Sequence, residues 1–205
     1  MLKVYGRTNS VNVQKVMWMI GELGLDSERM DVGGAFGRND QDWYLALNPM
    51  GRVPVLDDDG YILWESHSII RYLARKHDSD LYPREPWACG DVDKWMDWQI
   101  GFHQPAITPA FWGLIRTPEA ERDMAAIRAA STATANLCAI VDAHLQDRDF
   151  MAGDQLSLAD IPVGAMTYRW YGLDVEHPNY PNLRAWYDRL TQRPAYQEHV
   201  MLPIT

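Results

Sequence analysis

Alternation of apolar and polar positions marks the start of the chain, and helical spacing soon replaces it. Residues 2–6, LKVYG, read as a strand; from Val13 the apolar positions Val13, Val16, Met17, Ile20 and Leu23 recur at helical spacing up to Gly24, a C-cap. SERMDV (27–32) is a weak second strand and DQDWYLAL (40–47) a short helix. VPVLD and YILW read as two strands around the turn DDG, and Ser66 to Lys76 as a helix with Ile69, Ile70 and Leu73 facing inward. The order is βαβαββα. A parallel pair joined by a crossover helix, followed by an antiparallel hairpin, predicts a mixed sheet with helices on both faces.

Strand signals fade after residue 80. Trp95, Trp98 and Phe102 begin an aromatic helix, an alanine-rich helix is expected from Pro118 to Gln146, and LSLADIPVGAMTYRWY and NLRAWYDRLTQRP supply two more. Asp80 to Pro86 breaks the periodicity with two prolines and reads as the linker. The expected organisation is an α/β domain over 1–80 and an all-α domain over 87–205, with no internal repeat.

Composition narrows the functional classes. With 205 residues the chain has room for one large domain or two small ones, and no apolar run approaches the ~18 residues of a membrane span. The alternating start is unlike a secretory signal, so the cytoplasm is the default location. Cys89 and Cys138 stand far apart in no CxxC spacing, and the histidines show no HExxH-like spacing, so neither a disulfide framework, a dithiol centre nor a metal site is expected. A net charge of −9 disfavours nucleic acid and anionic membranes as partners while leaving room for a local anion pocket.

The candidate chemistry lies in NPMGRVPVLDDDGYILWESHSIIRYLA (48–74). Pro54 has no N–H to give to a sheet, so its place beside a strand implies an edge, a bulge or a cis bond. In a thioredoxin-like domain such a proline turns the preceding residue, here Val53, so that its main chain can pair with a peptide-like ligand. Glu65-Ser66 opens a helix, whose free N–H groups favour a carboxylate; Ser66 adds a hydroxyl and Glu65 a partner for an amine. Taken singly, each feature is also an ordinary strand-edge proline or helix start.

This stretch resembles the N-terminal domain of the glutathione transferase family, and GDQLSLADI (153–161) is similar to the capping box of the family's helical domain, with Ser157 as N-cap and Asp160 at N3. The resemblance covers essentially the whole chain. It implies a thioredoxin-like domain followed by a helical domain, a homodimer, and glutathione as co-substrate without a metal. Val53 and Pro54 would hold its cysteinyl part, Glu65 and Ser66 its γ-glutamyl end, and Arg52 would be a further ligand contact. Serine-type, theta-like or bacterial-type members place a serine in the first βα turn, YGRTNSVNVQKV. Ser10 matches it as thiolate donor. Asn12 either donates a second hydrogen bond or caps the helix; Thr8, Asn9 and Tyr5 are the competitors. No cysteine stands in the turn, and the SSCSWRV-like signature of maleylacetoacetate isomerases is missing. An apolar electrophile would then meet aromatics between the domains, with Trp98, Phe102, Phe111 and Trp112 as candidates and Trp95, Tyr168 and Trp170 behind them. The implied activity is glutathione transfer. The alternatives are a non-catalytic glutathione-binding protein and a glutathione-dependent peroxidase or reductase.

Overall fold

Leu2, Val4 and Leu56 are buried on one face of a four-stranded sheet, while Tyr5 and Val55 point to the other, as the period of two requires. The computed structural model describes residues 1–205. Strands β1 (Leu2–Tyr5), β2 (Ser27–Met30), β3 (Val55–Asp58) and β4 (Tyr61–Trp64) lie in the order β2-β1-β3-β4. β1 pairs β2 in parallel, and β3 pairs both β1 and β4 antiparallel, so the expected mixed sheet and the order βαβαββα are present.

Helices α1 (Val11–Glu22) and α3 (Ser66–Lys76) pack together on the Leu56 face, where Tyr72 of α3 donates to Asp58 and stacks on Tyr61. The short helix α2 (Asp42–Leu45) covers the opposite face by inserting Tyr44 against Val32 and Val55. The hairpin between β3 and β4 turns at Asp59 and Gly60, both at positive φ (50° and 95°), as a tight two-residue turn demands.

The chain divides into two compact units, Met1–Tyr82 with Pro194–Leu202, and Pro83–Arg193 with Pro203–Thr205. Helix α9 (Pro194–His199) therefore belongs with the sheet unit, where it packs along α1, although residues 87–205 read as one helical body. The second unit contains α4 (Pro86–Trp98), α5 (Gln104–Phe111), α6 (Met124–His144), α7 (Asp160–Tyr171) and α8 (Pro181–Thr191). Two π-helical turns, Gln99–His103 and Trp112–Arg116, flank α5.

Two expectations need correction here. Pro54 is not a strand residue: β3 begins at Val55, one position later. And α6 does meet the length and hydropathy of a membrane span, with a mean hydropathy of 1.3 over its most apolar 18 residues. Alanines supply that hydropathy, and α6 packs against α5 and α8 within its unit.

Candidate active site

Strand register brings the predicted residues to one edge. Met30, Tyr5, Val55 and Trp64 are successive partners across the four strands. Past this row lie the turn Gly6–Ser10, the Val53–Pro54 pair and Glu65-Ser66. The N-termini of α1 and α3 open at the same edge. Gly6 and Val53 come so close that a Cβ on Gly6 would stand 3.2 Å from that of Val53 and 2.4 Å from Val13 Cγ2, so glycine is required there.

The Val53–Pro54 peptide bond is cis, one of the three alternatives left open by the sequence. No hydrogen bond within the chain uses the main-chain N–H or C=O of Val53, so both are available to an extended peptide. The loop before it is fixed from beneath. The Arg52 carbonyl accepts from Tyr44 Oη at 2.7 Å and Asn48 Nδ2 at 2.9 Å, and the Gly51 carbonyl from Asn39 Nδ2 at 2.9 Å. Burial pushes the Tyr44 phenol well above its usual range, keeping it a donor. The main chain of Arg52 thus anchors the loop, while its side chain is exposed.

Glu65 is the N-cap of α3 with φ 71° and ψ 114°, a conformation that costs a non-glycine residue about 1–3 kcal/mol. It leaves the first turn of α3 without a side-chain cap, so those N–H groups remain open to an anion. Ser66 is 3% exposed at the first helical position, and the Glu65 side chain is exposed.

Ser10 is the N-cap of α1. An N-cap serine ordinarily accepts a hydrogen bond from the second or third helical N–H; this hydroxyl makes no such bond. Its carbonyl accepts from Gln14 N–H at 2.9 Å, so the backbone alone continues the helix. The capping alternative for Asn12 is overturned: it lies inside the first turn, and its Oδ1 accepts from Lys15 Nζ at 3.1 Å. Tyr5 projects onto the α2 face of the sheet, against Trp43 (6.0 Å between ring centres) and Tyr44 (6.5 Å), away from the face that carries α1. Thr8 is exposed.

Sequence reasoning missed Lys15 and His67. Lys15 is fully buried, and its Nζ lies 3.2 Å from His67 Nε2, joining α1 to the second residue of α3. Helical spacing alone reads Lys15 as a surface residue.

In the second unit, the four candidate aromatics fall on the run Pro86–Arg116. Phe102 and Trp112 are exposed (61% and 55%), on the two π-helical turns. Phe111 is buried beneath Arg169, whose guanidinium lies 4.4 Å from the ring centre, and Trp98 meets Trp95 edge-to-face and His103 at a tilt. The Ser157–Asp160 contact forms, but not as the expected N-cap and N3 pair: α7 starts at Asp160 with Ala159 as its N-cap. Asp160 Oδ2 accepts from Ser157 N–H at 2.8 Å and from its hydroxyl at 2.9 Å, and that hydroxyl accepts from Ala159 N–H at 3.3 Å. Oδ1 of the same carboxylate also takes Met151 N–H and Trp186 Nε1, each at 2.8 Å. Those two partners were not foreseen.

Comparison with known proteins agrees along the whole length. The family model for the N-terminal domain of glutathione S-transferase matches residues 1–75, and that for its C-terminal domain residues 103–194. Glutathione S-transferase GstB of Escherichia coli (strain K12) is 38% identical, with all of both chains covered. Glutathione S-transferase 3 of Zea mays is 31% identical over 97% of this chain and 93% of its own. Among solved structures, the theta-class glutathione S-transferase of Xanthomonas axonopodis pv. citri with glutathione bound superposes with a TM-score of 0.97 at 45% identity, covering 100% of this chain and 99% of that one. The chain belongs to the glutathione S-transferase family.

Proposed function

We propose that the edge where Gly6–Ser10, Val53–Pro54 and Glu65-Ser66 meet holds glutathione as an extended peptide and directs its thiolate at an electrophilic carbon. The observation that carries this reading is the Ser10 hydroxyl, placed at a helix N-terminus yet not used to cap it. The thiol of a free cysteine has a pKa of about 8.5, so little thiolate exists at neutral pH without a donor and a favourable dipole. Ser10 and the start of α1 supply both, and Asn12 is the second donor.

The Val53 main chain pairs with the cysteinyl residue. Ser66 and the first-turn N–H groups of α3 receive the γ-glutamyl carboxylate, Glu65 its ammonium, and the exposed Arg52 guanidinium adds a cation beside the peptide. The thiol proton leaves to solvent. The sulfur lone pair then forms the S–C bond as the leaving group departs with its electrons, and binding both reactants supplies proximity. Phe102 and Trp112 offer exposed rings to an apolar electrophile, while Trp98 and Phe111 are held within the helical unit.

The test is ultraviolet titration of enzyme-bound thiolate. Ser10→Ala raises the thiol pKa by about one unit or more, roughly tenfold less thiolate below both values, while glutathione affinity stays close to wild type because the peptide is held elsewhere. Tyr5→Phe superimposes on wild type. The opposite pattern moves the catalytic role from Ser10 to Tyr5. By family likeness we also infer a two-fold dimer; light scattering at micromolar concentration is expected to give twice the chain mass, and a monomer contradicts it.

A further inference from the structure

Lys15 carries a charge that the thiolate mechanism has not used. Its side chain is fully buried, unusual for lysine, and its ammonium stands at the open end of the α1/α3 pair. Two helix N-termini and this ammonium place positive potential behind one edge of the sheet, which suits a site that must receive negative charge.

The geometry points to Lys15 as a positioning residue that makes Asn12 a directed donor to the thiolate, a role that rests on the glutathione transferase reading above. Lys15 has N–H donors and no acceptor, so its contact at 3.1 Å must be with the carboxamide oxygen of Asn12. That contact fixes which way the amide faces: Oδ1 is turned to the ammonium, and the NH2 group is the end turned away from it, on a residue two positions from Ser10. Without Lys15 the amide could present either atom, and an oxygen facing a thiolate would repel it. His67 holds the ammonium from the other side at 3.2 Å; with Lys15 donating, Nε2 accepts and the ring proton sits on Nδ1. The ammonium therefore has defined partners on both α1 and α3.

Other charged or titratable groups on elements packed against α1 are Glu65 at the N-cap of α3, Arg71, Tyr72 and Arg75 of α3, Tyr196, Glu198 and His199 of α9, and the Asp58–Lys76 pair of β3 and α3. All are retained in the variants below; Lys15→Met removes both the ammonium and its contact with Asn12, and the double variant separates the two effects.

The experiment compares wild type with Lys15→Met, Lys15→Arg, Asn12→Ala and the double variant Lys15→Met/Asn12→Ala. The thiolate absorbance of bound glutathione is titrated, and the affinity of S-methylglutathione, which has no thiol to ionise, is measured alongside. Lys15→Met and Asn12→Ala should each raise the bound thiol pKa by about one unit, roughly tenfold less thiolate below both values. S-methylglutathione should bind within about twofold of wild type, and Lys15→Arg should restore most of the titration. Because Lys15 acts through Asn12, the double variant should shift no further than either single one. Additive shifts, or equal weakening of S-methylglutathione, overturn the positioning role. If Lys15→Met does not fold, Asn12→Ala decides: a titration matching wild type overturns the inference. A depressed thiol pKa in wild type with no change in either single variant overturns this inference alone, whereas an undepressed wild-type thiol overturns the transferase reading with it.

Discussion

Ser66 combines near-complete burial with the first position of α3, so its hydroxyl can meet a carboxylate in a place that excludes water. A hydrogen bond to a charged group contributes about 1.5–3 kcal/mol, and Ser66→Ala is accordingly expected to weaken glutathione binding about 10- to 150-fold by calorimetry. Unchanged affinity would remove Ser66 from the site. Ser66, Val53 and Pro54 were legible because each sits in one contiguous motif whose local requirement, a missing N–H or an open helix start, shows in a few letters. Lys15 was not. Its partner His67 is 52 positions away, and nothing in VQKV distinguishes a buried lysine from a solvated one. The Asn12 role was ambiguous for a related reason, since a helix boundary misplaced by two residues turns an inner-turn residue into a cap.

At the scale of elements, Asp58 ties β3 to α3. Its carboxylate, only 4% exposed, accepts from Tyr72 Oη at 2.6 Å and pairs with Lys76 through the same oxygen. Burial raises its pKa, but the hydrogen bonds from Lys76 and Tyr72 outweigh that and hold it below the ordinary carboxylate value. A depressed native pKa gives stability that is complete above the unfolded value, about 3.9, and is lost as pH falls through the native one. Asp58→Asn should therefore flatten the acid limb of a urea-unfolding stability profile below about pH 4 while leaving its shape near neutrality. An acid limb identical to wild type would show that this carboxylate does not couple to folding. Periodicity predicted α1 and α3 well because each presents one apolar face. It failed on Pro86–Arg116, read as one aromatic helix starting near Trp95. Pro105 and Pro109 cannot donate to the preceding turn, and the run is divided around them by two π-helical turns.

For the molecule as a whole, the return of residues 194–202 to the sheet unit is the feature least visible in the sequence. PAYQEHV follows the expected helix NLRAWYDRLTQRP inside the expected all-α domain over 87–205, and its pattern does not encode which helix it will cover. The family models do not reach it either, since the second ends at residue 194. In the structure Tyr196 is fully buried and meets the fully buried Trp18 edge-to-face at 4.7 Å. Ala195 and His199 crowd Gly21, where an added Cβ would lie 2.9 Å from Ala195 Cβ, so α1 and α9 touch almost backbone to backbone. Val200 is also fully buried. The sheet unit thus completes its core with a segment more than a hundred residues downstream of its other parts. Removing a buried aromatic side chain costs about 3–5 kcal/mol, so Tyr196→Ala should lower the urea midpoint of the transition that exposes Trp18, followed by tryptophan fluorescence. Tyr196→Phe keeps the ring packed on Trp18 and should lower the midpoint less than Tyr196→Ala does. If Tyr196→Ala instead unfolds at the wild-type midpoint, α9 is a passive covering and residues 1–82 stand on their own core.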